Sequence, residues 1–341
     1  MTSGCGAGTL AGVKHSWSRS LAALVFLSGP LAAQEQPPAH TQPPPVFGRL
    51  SEQAAAYAGA VGLSIERDQS PRDLLDQQRR LAHVLDAVQP QRAGTVDAYV
   101  VAVALDSDPV FAREAREAGR VLARRYDAAG RTIVLAGADG RGGEALPTGT
   151  PQAIAAALAR VAEVMDRQQD VLVLYTTSHG APWGIVYDEG DQGFGAIGPK
   201  RLRAMLDTLG IGNRVLLISA CFSGAFVPEL QSSTTVVVTA SSADRTSFGC
   251  QSDNDWTFFG DALINHALRG ATPLGAAAAQ ARAQIGRWEQ QGGITPSKPQ
   301  ISVGRDTARW LTPLEARLPP ADAPVGRPSI ESLDKAKAHN H

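Results

Sequence analysis

Two short motifs of the sequence each combine a reactive side chain with a nearby glycine. Residues 176–180 read Thr-Thr-Ser-His-Gly and supply His179. Residues 219–224 read Ser-Ala-Cys-Phe-Ser-Gly and supply Cys221. A thiol attacks a carbonyl carbon only as its thiolate, and an imidazole that titrates near neutrality can take the proton. The pair could therefore perform nucleophilic acyl transfer, with Cys221 as nucleophile and His179 as base.

The glycine beside the histidine has a possible function of its own. Gly180 permits close approach of a substrate, and its N–H together with that of Cys221 could form an oxyanion hole. Ordinary structural explanations exist for the reactive residues: a histidine after a buried strand often only completes a hydrogen bond, and a cysteine there often only fills space. The pairing, rather than either residue alone, favours catalysis.

Each motif follows an apolar run of strand length, at residues 171–175 and 215–218. Similar runs occur at 100–105, 132–135 and 235–239, and stretches with a helical pattern separate them. Strands that alternate with helices imply right-handed crossovers. The sequence therefore predicts an α/β fold with a mostly parallel sheet and helices on both faces. Ligands bind beyond the carboxyl ends of such strands, which is where both motifs lie.

The first residues have the pattern of an export signal. Lys14 and Arg19 precede a short apolar run at 21–27, and small residues then lead to Ala33. The run is too short to span a bilayer, which requires about 20 residues. We expect a signal peptide at 1–33 cleaved near Ala33, and hence a periplasmic or secreted protein; an uncleaved anchor is the alternative. No integral membrane span is expected in the mature chain.

The remaining chain divides by composition. Residues 34–50 are rich in Pro and Gln and predict an extended linker. Residues 51–95 predict a helical N-terminal region, and residues 96–312 contain the strands and both motifs. Residues 313–341 combine Pro, Ala and charge, a composition that predicts a flexible C-terminal tail.

Charge and cysteine content exclude several classes of function. The 32 basic and 33 acidic side chains give a net charge of -1, so the concentrated basic face of a nucleic-acid binder is not expected. Neither Cys-x-x-Cys nor His-x-x-x-His spacing occurs to supply four ligands, so a zinc site is not expected. Acyl transfer by a cysteine and a histidine also needs no metal or organic cofactor. Asp188, Glu189 and Asp191 predict a solvated acidic loop, with Ca²⁺ as a weakly supported alternative.

The motifs resemble those of the legumain-like cysteine peptidases, within the caspase–haemoglobinase fold. That family has a strand ending in His-Gly and a later strand ending in Ala-Cys-x-Ser-Gly, as at residues 179–180 and 220–224. A third block, an aromatic-x-Cys followed by Thr-aromatic-x-Gly-Asp, is matched at 247–250 and 257–261. The resemblance covers about residues 96–303. It implies a Cys–His dyad, a peptide or protein substrate and no cofactor.

The resemblance also bears on specificity. In legumains the last Asp of the third block helps to line the pocket for an Asn, or sometimes an Asp, before the cut; here it is Asp261. Legumains usually have Glu two residues before the nucleophile, whereas this chain has Ser219, which removes a hydrogen-bond acceptor for an Asn amide. Arg113 is the candidate for the pocket arginine of the family.

Three alternatives remain open from the sequence. A transpeptidase would use the same dyad, with an amine in place of water. A non-catalytic peptide-binding scaffold could have the same fold, although the intact His179 and Cys221 argue against it. A disulfide between Cys221 and Cys250 would make the protein inert.

Overall fold

The computed structural model describes residues 36–42 and 50–333. The predicted signal peptide at 1–33 and the end of the predicted tail, 334–341, lie outside the described residues. The described chain forms ten strands: β1 Ser64–Glu66, β2 Ala98–Ala104, β3 Thr132–Leu135, β4 Val171–Thr177, β5 Gly180–Ala181, β6 Gly184–Asp188, β7 Gly193–Ile197, β8 Arg214–Ser219, β9 Thr235–Thr239 and β10 Gln300–Val303. It also forms eight α-helices: α1 Glu52–Val61, α2 Pro71–Asp86, α3 Pro109–Arg125, α4 Pro151–Val164, α5 Pro199–Thr208, α6 Val227–Leu230, α7 Leu274–Gly292 and α8 Ala308–Glu315.

Six strands form the main sheet in the order β10-β9-β8-β4-β2-β3. All neighbours are parallel except β10, which is antiparallel to β9 at the edge. The central strands β2, β4 and β8 are buried along their whole length. Burial on both faces explains why they are continuous apolar runs rather than alternating ones. The predicted α/β fold with a mostly parallel sheet is confirmed.

Alternate residues of the strands pack into two hydrophobic cores. From β2, Val100 and Ala102 face the core that contains α3 and α7, while Val101 and Val103 face the core that contains α4 and α5. Helix α4 begins at Pro151, because the Thr150 hydroxyl accepts a hydrogen bond from the N–H of Ala153 and so caps its first turn. The result is a three-layer domain in which helices cover both faces of the main sheet.

A second, antiparallel sheet has the order β1-β7-β6-β5. The sequence did not predict it, because its strands are two to five residues long and contain several glycines. Its first strand comes from the N-terminal region at 51–95, where the sequence predicted only helices. Strand β5 begins at Gly180, so this sheet is continuous with the loop that contains His179.

The expectation of a flexible tail beyond Pro313 is corrected for residues 314–333. Pro313 lies inside α8, and the chain after it packs on the domain. The Val325 carbonyl accepts from the Trp256 indole at 2.9 Å, and the N–H of Ser329 donates to Asp261 at 2.7 Å. The backbone supplies these bonds, so the segment packs despite its low hydrophobicity. Within the described residues, no helix is both long and apolar enough to cross a membrane.

Candidate active site

The two motifs meet at the carboxyl edge of the main sheet. Strands β4 and β8 are adjacent, with Thr177 opposite Ser219, and the N–H of Ser178 donates to the Ser219 carbonyl at 3.1 Å. Gly180 lies against the backbone of Cys221. A Cβ at Gly180 would collide with the Cys221 carbonyl and lie 2.9 Å from its nitrogen. Glycine is therefore required here, and the structure brings the histidine loop and the cysteine loop together.

The Cys221 thiol lies at a sharp turn after β8. Phe222, the next residue, has a left-handed backbone with φ 57°, which is uncommon outside glycine and is often found at functional sites. The N–H of Ser247 donates to the Cys221 Sγ at 3.2 Å, and the Ser247 hydroxyl lies 3.7 Å from the same sulfur. The Ser247 carbonyl lies 3.6 Å from the sulfur, so the Ser247 backbone contacts the thiol through both its N–H and its carbonyl and fixes its position.

The His179 imidazole is paired with a carboxylate that the sequence analysis did not identify. Its Nε2 lies 3.8 Å from Asp108 Oδ2, and its ring makes an edge-to-face contact with Phe111. The Asp108 carboxylate raises the pKa of His179 above its ordinary value, although burial acts in the opposite direction. The same contact lowers the pKa of Asp108. Asp108 is thus placed to stabilise an imidazolium form of His179.

Three further carboxyl groups lie near Asp108, and the four together form what we call the acidic cluster: Asp106, Asp108, Asp188 and Glu189. Burial raises the pKa of Asp106 to about 7 and that of Glu189 to about 8. Burial also raises the pKa of Asp188. This corrects the prediction of a solvated acidic loop for Glu189, which is only 7% exposed, whereas Asp188 and Asp191 are partly exposed. The loop lies against the sheet edge, because the N–H of Asp188 donates to the Leu105 carbonyl.

A buried carboxyl from α3 connects the two motif-bearing strands. Glu114 is fully buried, and its Oε1 accepts from the hydroxyls of Tyr175 at 2.5 Å, Thr177 at 2.7 Å and Ser219 at 3.1 Å. Its Oε2 accepts from the N–H of Thr257 at 2.7 Å. We call this set the Glu114 network. It fixes the ends of β4 and β8, and therefore the loops that follow them.

The predicted pocket residues lie elsewhere than expected. Ser219 is 2% exposed and belongs to the Glu114 network. Asp261 is fully buried and accepts from Asn265 and from the N–H of Ser329, with His266 at 3.3 Å. This corrects the expectation that Ser219 and Asp261 line a substrate pocket, because neither side chain reaches an exposed surface.

Arg113, the candidate pocket arginine, holds two loops together. Its guanidinium donates to the carbonyls of Asp139, Ser252 and Asn254, and lies 3.9 Å from Asp255. Its two terminal nitrogens donate to the loop after β3 and to the segment before residue 257, while its buried Nε has no hydrogen-bond partner among the described residues. The structure therefore gives Arg113 a role in fixing loops and does not support a role in binding substrate.

The second cysteine is not bonded to the first. Cys221 and Cys250 are both free, which is contrary to the disulfide alternative. Burial raises the pKa of the Cys250 thiol well above its usual value, with a smaller contribution from Cys221. Cys250 is therefore a poor source of thiolate, and Cys221 is the better nucleophile on structural grounds.

Glu114 and Asp108 were missed, although each leaves a signal in the sequence. Glu114 falls on the apolar face of α3, between Phe111 and Ala118, where an acidic side chain must find buried partners. Asp108 follows β2 at the same sheet edge as the two motifs. An acidic residue at a strand end, or on an apolar helix face, is the pattern that would have found them.

Comparison with known proteins gave two positive findings. Residues 148–307 match the Peptidase C13 family, a range that includes both motifs and the block at 257–261. Among solved structures the chain is similar to caspase-1 from Spodoptera frugiperda, with 12% identity and a TM-score of 0.41 over 62% of this chain and 87% of that chain. A search of the curated proteins found no match.

The family match includes both loops that the structure brings together. The matched range begins later than the 96–303 over which the motifs suggested a resemblance, so α3 with Arg113 and Glu114 lies outside it. The match agrees with the order of the motif blocks, the mostly parallel sheet and the free thiol at its edge. Residues 148–307 therefore form a Peptidase C13 (legumain) family domain, and that family implies a cysteine-type peptidase.

Proposed function

We propose that the protein is an endopeptidase that hydrolyses peptide bonds through a thioester on Cys221, with His179 as general base and acid. The observation that carries the proposal is the direct contact between the two loops: Gly180 lies against the backbone of Cys221. Thus the imidazole and the thiol lie at one edge of one sheet, beyond the ends of adjacent strands.

The groups around the dyad support each step. His179 takes the thiol proton, and the Ser247 N–H stabilises the sulfur as it attacks the substrate carbonyl. Asp108 stabilises the imidazolium, which then gives its proton to the leaving amine. Water, deprotonated by His179, attacks the thioester carbonyl, and the C–S bond breaks to release the acid. The His179 imidazolium then returns its proton to the Cys221 thiolate.

The tetrahedral intermediates require donors for the oxyanion. The N–H groups of Gly180 and Cys221 are proposed for this role, because the two residues are in backbone contact. Such donors contribute about 3–4 kcal/mol each in comparable sites. A side chain at Gly180 would displace the Cys221 backbone, so a Gly180→Ala variant is expected to lose activity together with the geometry of the oxyanion hole.

A preference for Asn or Asp before the cut follows only from the resemblance. The burial of Ser219 and Asp261 does not support it. The residue preference is therefore best measured without a prior restriction, from the cut sites in a diverse peptide library.

The test is cleavage of that library by the wild type, Cys221→Ala and His179→Ala, with Cys250→Ala as the matched control. We expect both dyad variants to lose activity and Cys250→Ala to retain it, because the Cys250 thiol has no role in the proposed chemistry. Unchanged cleavage by Cys221→Ala would overturn the proposal. No cleavage by wild type with a reduced Cys221 would favour a non-catalytic scaffold.

Two finer points are also proposals. Hydrolysis is preferred over transpeptidation, and an added amine nucleophile distinguishes them: a product mass that includes the amine would indicate a transpeptidase. Export is proposed from residues 1–33, and N-terminal sequencing of the mature protein tests cleavage near Ala33.

A further inference from the structure

The segment 36–42 places an imidazole beside the acidic cluster. His40, Asp106 and Asp108 each offer one ligand atom, and these three atoms lie within 4.8 Å of one another. The His40 Nε2 lies 2.9 Å from the Ser107 hydroxyl, and its Nδ1 lies 3.8 Å from Asp188. Groups from two distant parts of the chain thus converge on one point.

Asp106 provides a second, independent observation. Its side chain is only 2% exposed, and its Oδ1 accepts from the N–H of Asp108 at 2.8 Å. Its Oδ2 is buried and has no hydrogen-bond partner among the described residues. A buried carboxyl oxygen without a donor is costly, and such an atom calls for an ion or another partner.

The surrounding charge favours a cation. Asp188 and Glu189 lie close enough to Asp106 for their charges to interact, so a negative charge on one carboxylate repels a negative charge on the others. Asp108 lies beside the His179 imidazole, and Asp188 lies beside the His40 imidazole. A bound cation would neutralise this repulsion.

We propose that His40, Asp106 and Asp108 form a site for one divalent transition-metal ion, with Zn²⁺ as the best probe. One imidazole nitrogen and two carboxylate oxygens are donors that Zn²⁺ accepts, whereas Ca²⁺ and Mg²⁺ prefer oxygen alone. The ion would fasten residues 36–42 to the sheet edge. This differs from the expectation of a metal-free protein drawn from cysteine and histidine spacing, because the ligands are distant in sequence.

The segment is already docked in a way that presents His40. The Asp191 carboxylate accepts from the N–H groups of Thr41 at 2.9 Å and Gln42 at 2.8 Å, and the Asp191 N–H donates to the Ala39 carbonyl at 2.8 Å. These bonds hold the backbone on both sides of His40. The His40 imidazole is therefore held near Asp106 and Asp108 by a backbone that is already anchored.

The test is calorimetric titration of ZnCl₂ into the untagged, chelator-stripped protein carrying Cys221→Ala. That substitution removes the thiol that could bind zinc with His179, so binding is measured apart from the proposed peptidase activity. We expect one ion per chain at this site, and at least tenfold weaker binding after His40→Ala or Asp106→Asn. His83→Ala and Asp86→Asn, exposed residues of α2, are matched controls that should leave the affinity unchanged.

Hydrogen exchange supplies a second measurement. Zinc should slow exchange in residues 36–42 of the parent protein but not of Asp106→Asn. Equal zinc affinity in the parent, His40→Ala and Asp106→Asn would overturn the site. Binding that is lost in His179→Ala but kept in His40→Ala would also overturn it, and tighter binding of Ca²⁺ than of Zn²⁺ would overturn the proposed class of ion.

Discussion

Glu114 and Asp106 are both acidic, both almost fully buried and both close to the carboxyl ends of the main sheet, but their surroundings differ. Glu114 accepts hydrogen bonds at both oxygens, from Tyr175, Thr177 and Ser219 at one and from the backbone of Thr257 at the other. Asp106 has one donor at Oδ1 and none among the described residues at Oδ2.

The difference separates two roles for a buried carboxyl. A group whose acceptors are all occupied fixes the structure around it, as Glu114 fixes the ends of the two motif-bearing strands. A group with a vacant acceptor next to other acids contributes little to the stability of the empty site, and it is instead suited to a ligand. The following predictions test this distinction, from the largest expected effect to the smallest.

The largest effect is expected for Glu114→Ala. The substitution leaves the hydroxyls of Tyr175 and Thr177 and the Thr257 N–H without their buried acceptor. The free energy of unfolding should fall by about 3–5 kcal/mol, as for other broken buried networks. Urea denaturation followed by circular dichroism measures it.

The matched control for this prediction is Glu163→Ala, another helical glutamate, whose side chain is 67% exposed and pairs with Arg160. Its loss should cost less than about 1 kcal/mol, because surface ion pairs contribute little. Equal effects of the two substitutions would show that the Glu114 network does not hold the strand ends.

A smaller loss of stability is expected for Asp261→Asn. Like Glu114, Asp261 is a buried carboxylate that accepts hydrogen bonds at both oxygens. Burial alone would raise the pKa of Asp261, but the bonds from His266, Asn265 and Ser329 outweigh it and lower the pKa. A lowered pKa contributes stability that is present above the unfolded Asp pKa, about 3.9, and is lost as the pH falls through the folded value.

Asp261→Asn should therefore be less stable than wild type at pH 7 by about 1–2 kcal/mol, with the difference shrinking in acid. Thermal unfolding between pH 7 and pH 3 measures this. A change in residue preference at the cut, without a loss of stability, would instead restore Asp261 to a substrate pocket.

How much the sequence revealed depended on the length of the elements. Strands β4 and β8 were predicted because uninterrupted apolar runs end at the two motifs. The pocket was assigned wrongly because burial of Asp261 depends on Ser329, in a segment whose composition predicted a flexible tail. Its bonds are made by backbone groups, which leave no signal in side-chain composition.

The grouping of Asp188 and Glu189 with Asp106 and Asp108 could not be predicted, for a related reason. Asp106 and Asp108 follow β2, whereas Asp188 is the last residue of β6 and Glu189 comes directly after it. Strand β6 belongs to the second sheet. Its first strand, β1, lies about 130 residues before its partner β7 in the chain. Only tertiary pairing of short, glycine-containing strands brings Asp188 to Asp106, and hydrophobic periodicity does not encode such pairing.

Asp108→Asn should affect activity more than stability. The carboxylate that stabilises an imidazolium at His179 is lost, so kcat/KM should fall about tenfold, or about 1.4 kcal/mol. The measurement is made with a chelator present, to exclude metal binding. Ser252→Ala removes only the hydrogen bond to the other Asp108 oxygen and should change kcat/KM less than about threefold. A larger loss with Ser252→Ala would argue against the His179 contact.

The smallest effect on stability is expected for Asp106→Asn in the chelated protein. The amide oxygen can keep the bond from the Asp108 N–H, and the buried charge is removed. The free energy of unfolding should change by less than about 1 kcal/mol. A loss as large as that of Glu114→Ala would erase the contrast between the two carboxyl groups.

The most direct test of the central claim is to trap the acyl-enzyme. A peptide ester is mixed with the protein under reducing conditions, quenched in acid after milliseconds to seconds, and the adduct is located by peptide mass spectrometry. The account predicts a thioester on Cys221 that does not form in Cys221→Ala and forms much more slowly in His179→Ala. An acyl group on another residue, or ester turnover that persists in Cys221→Ala, would contradict it.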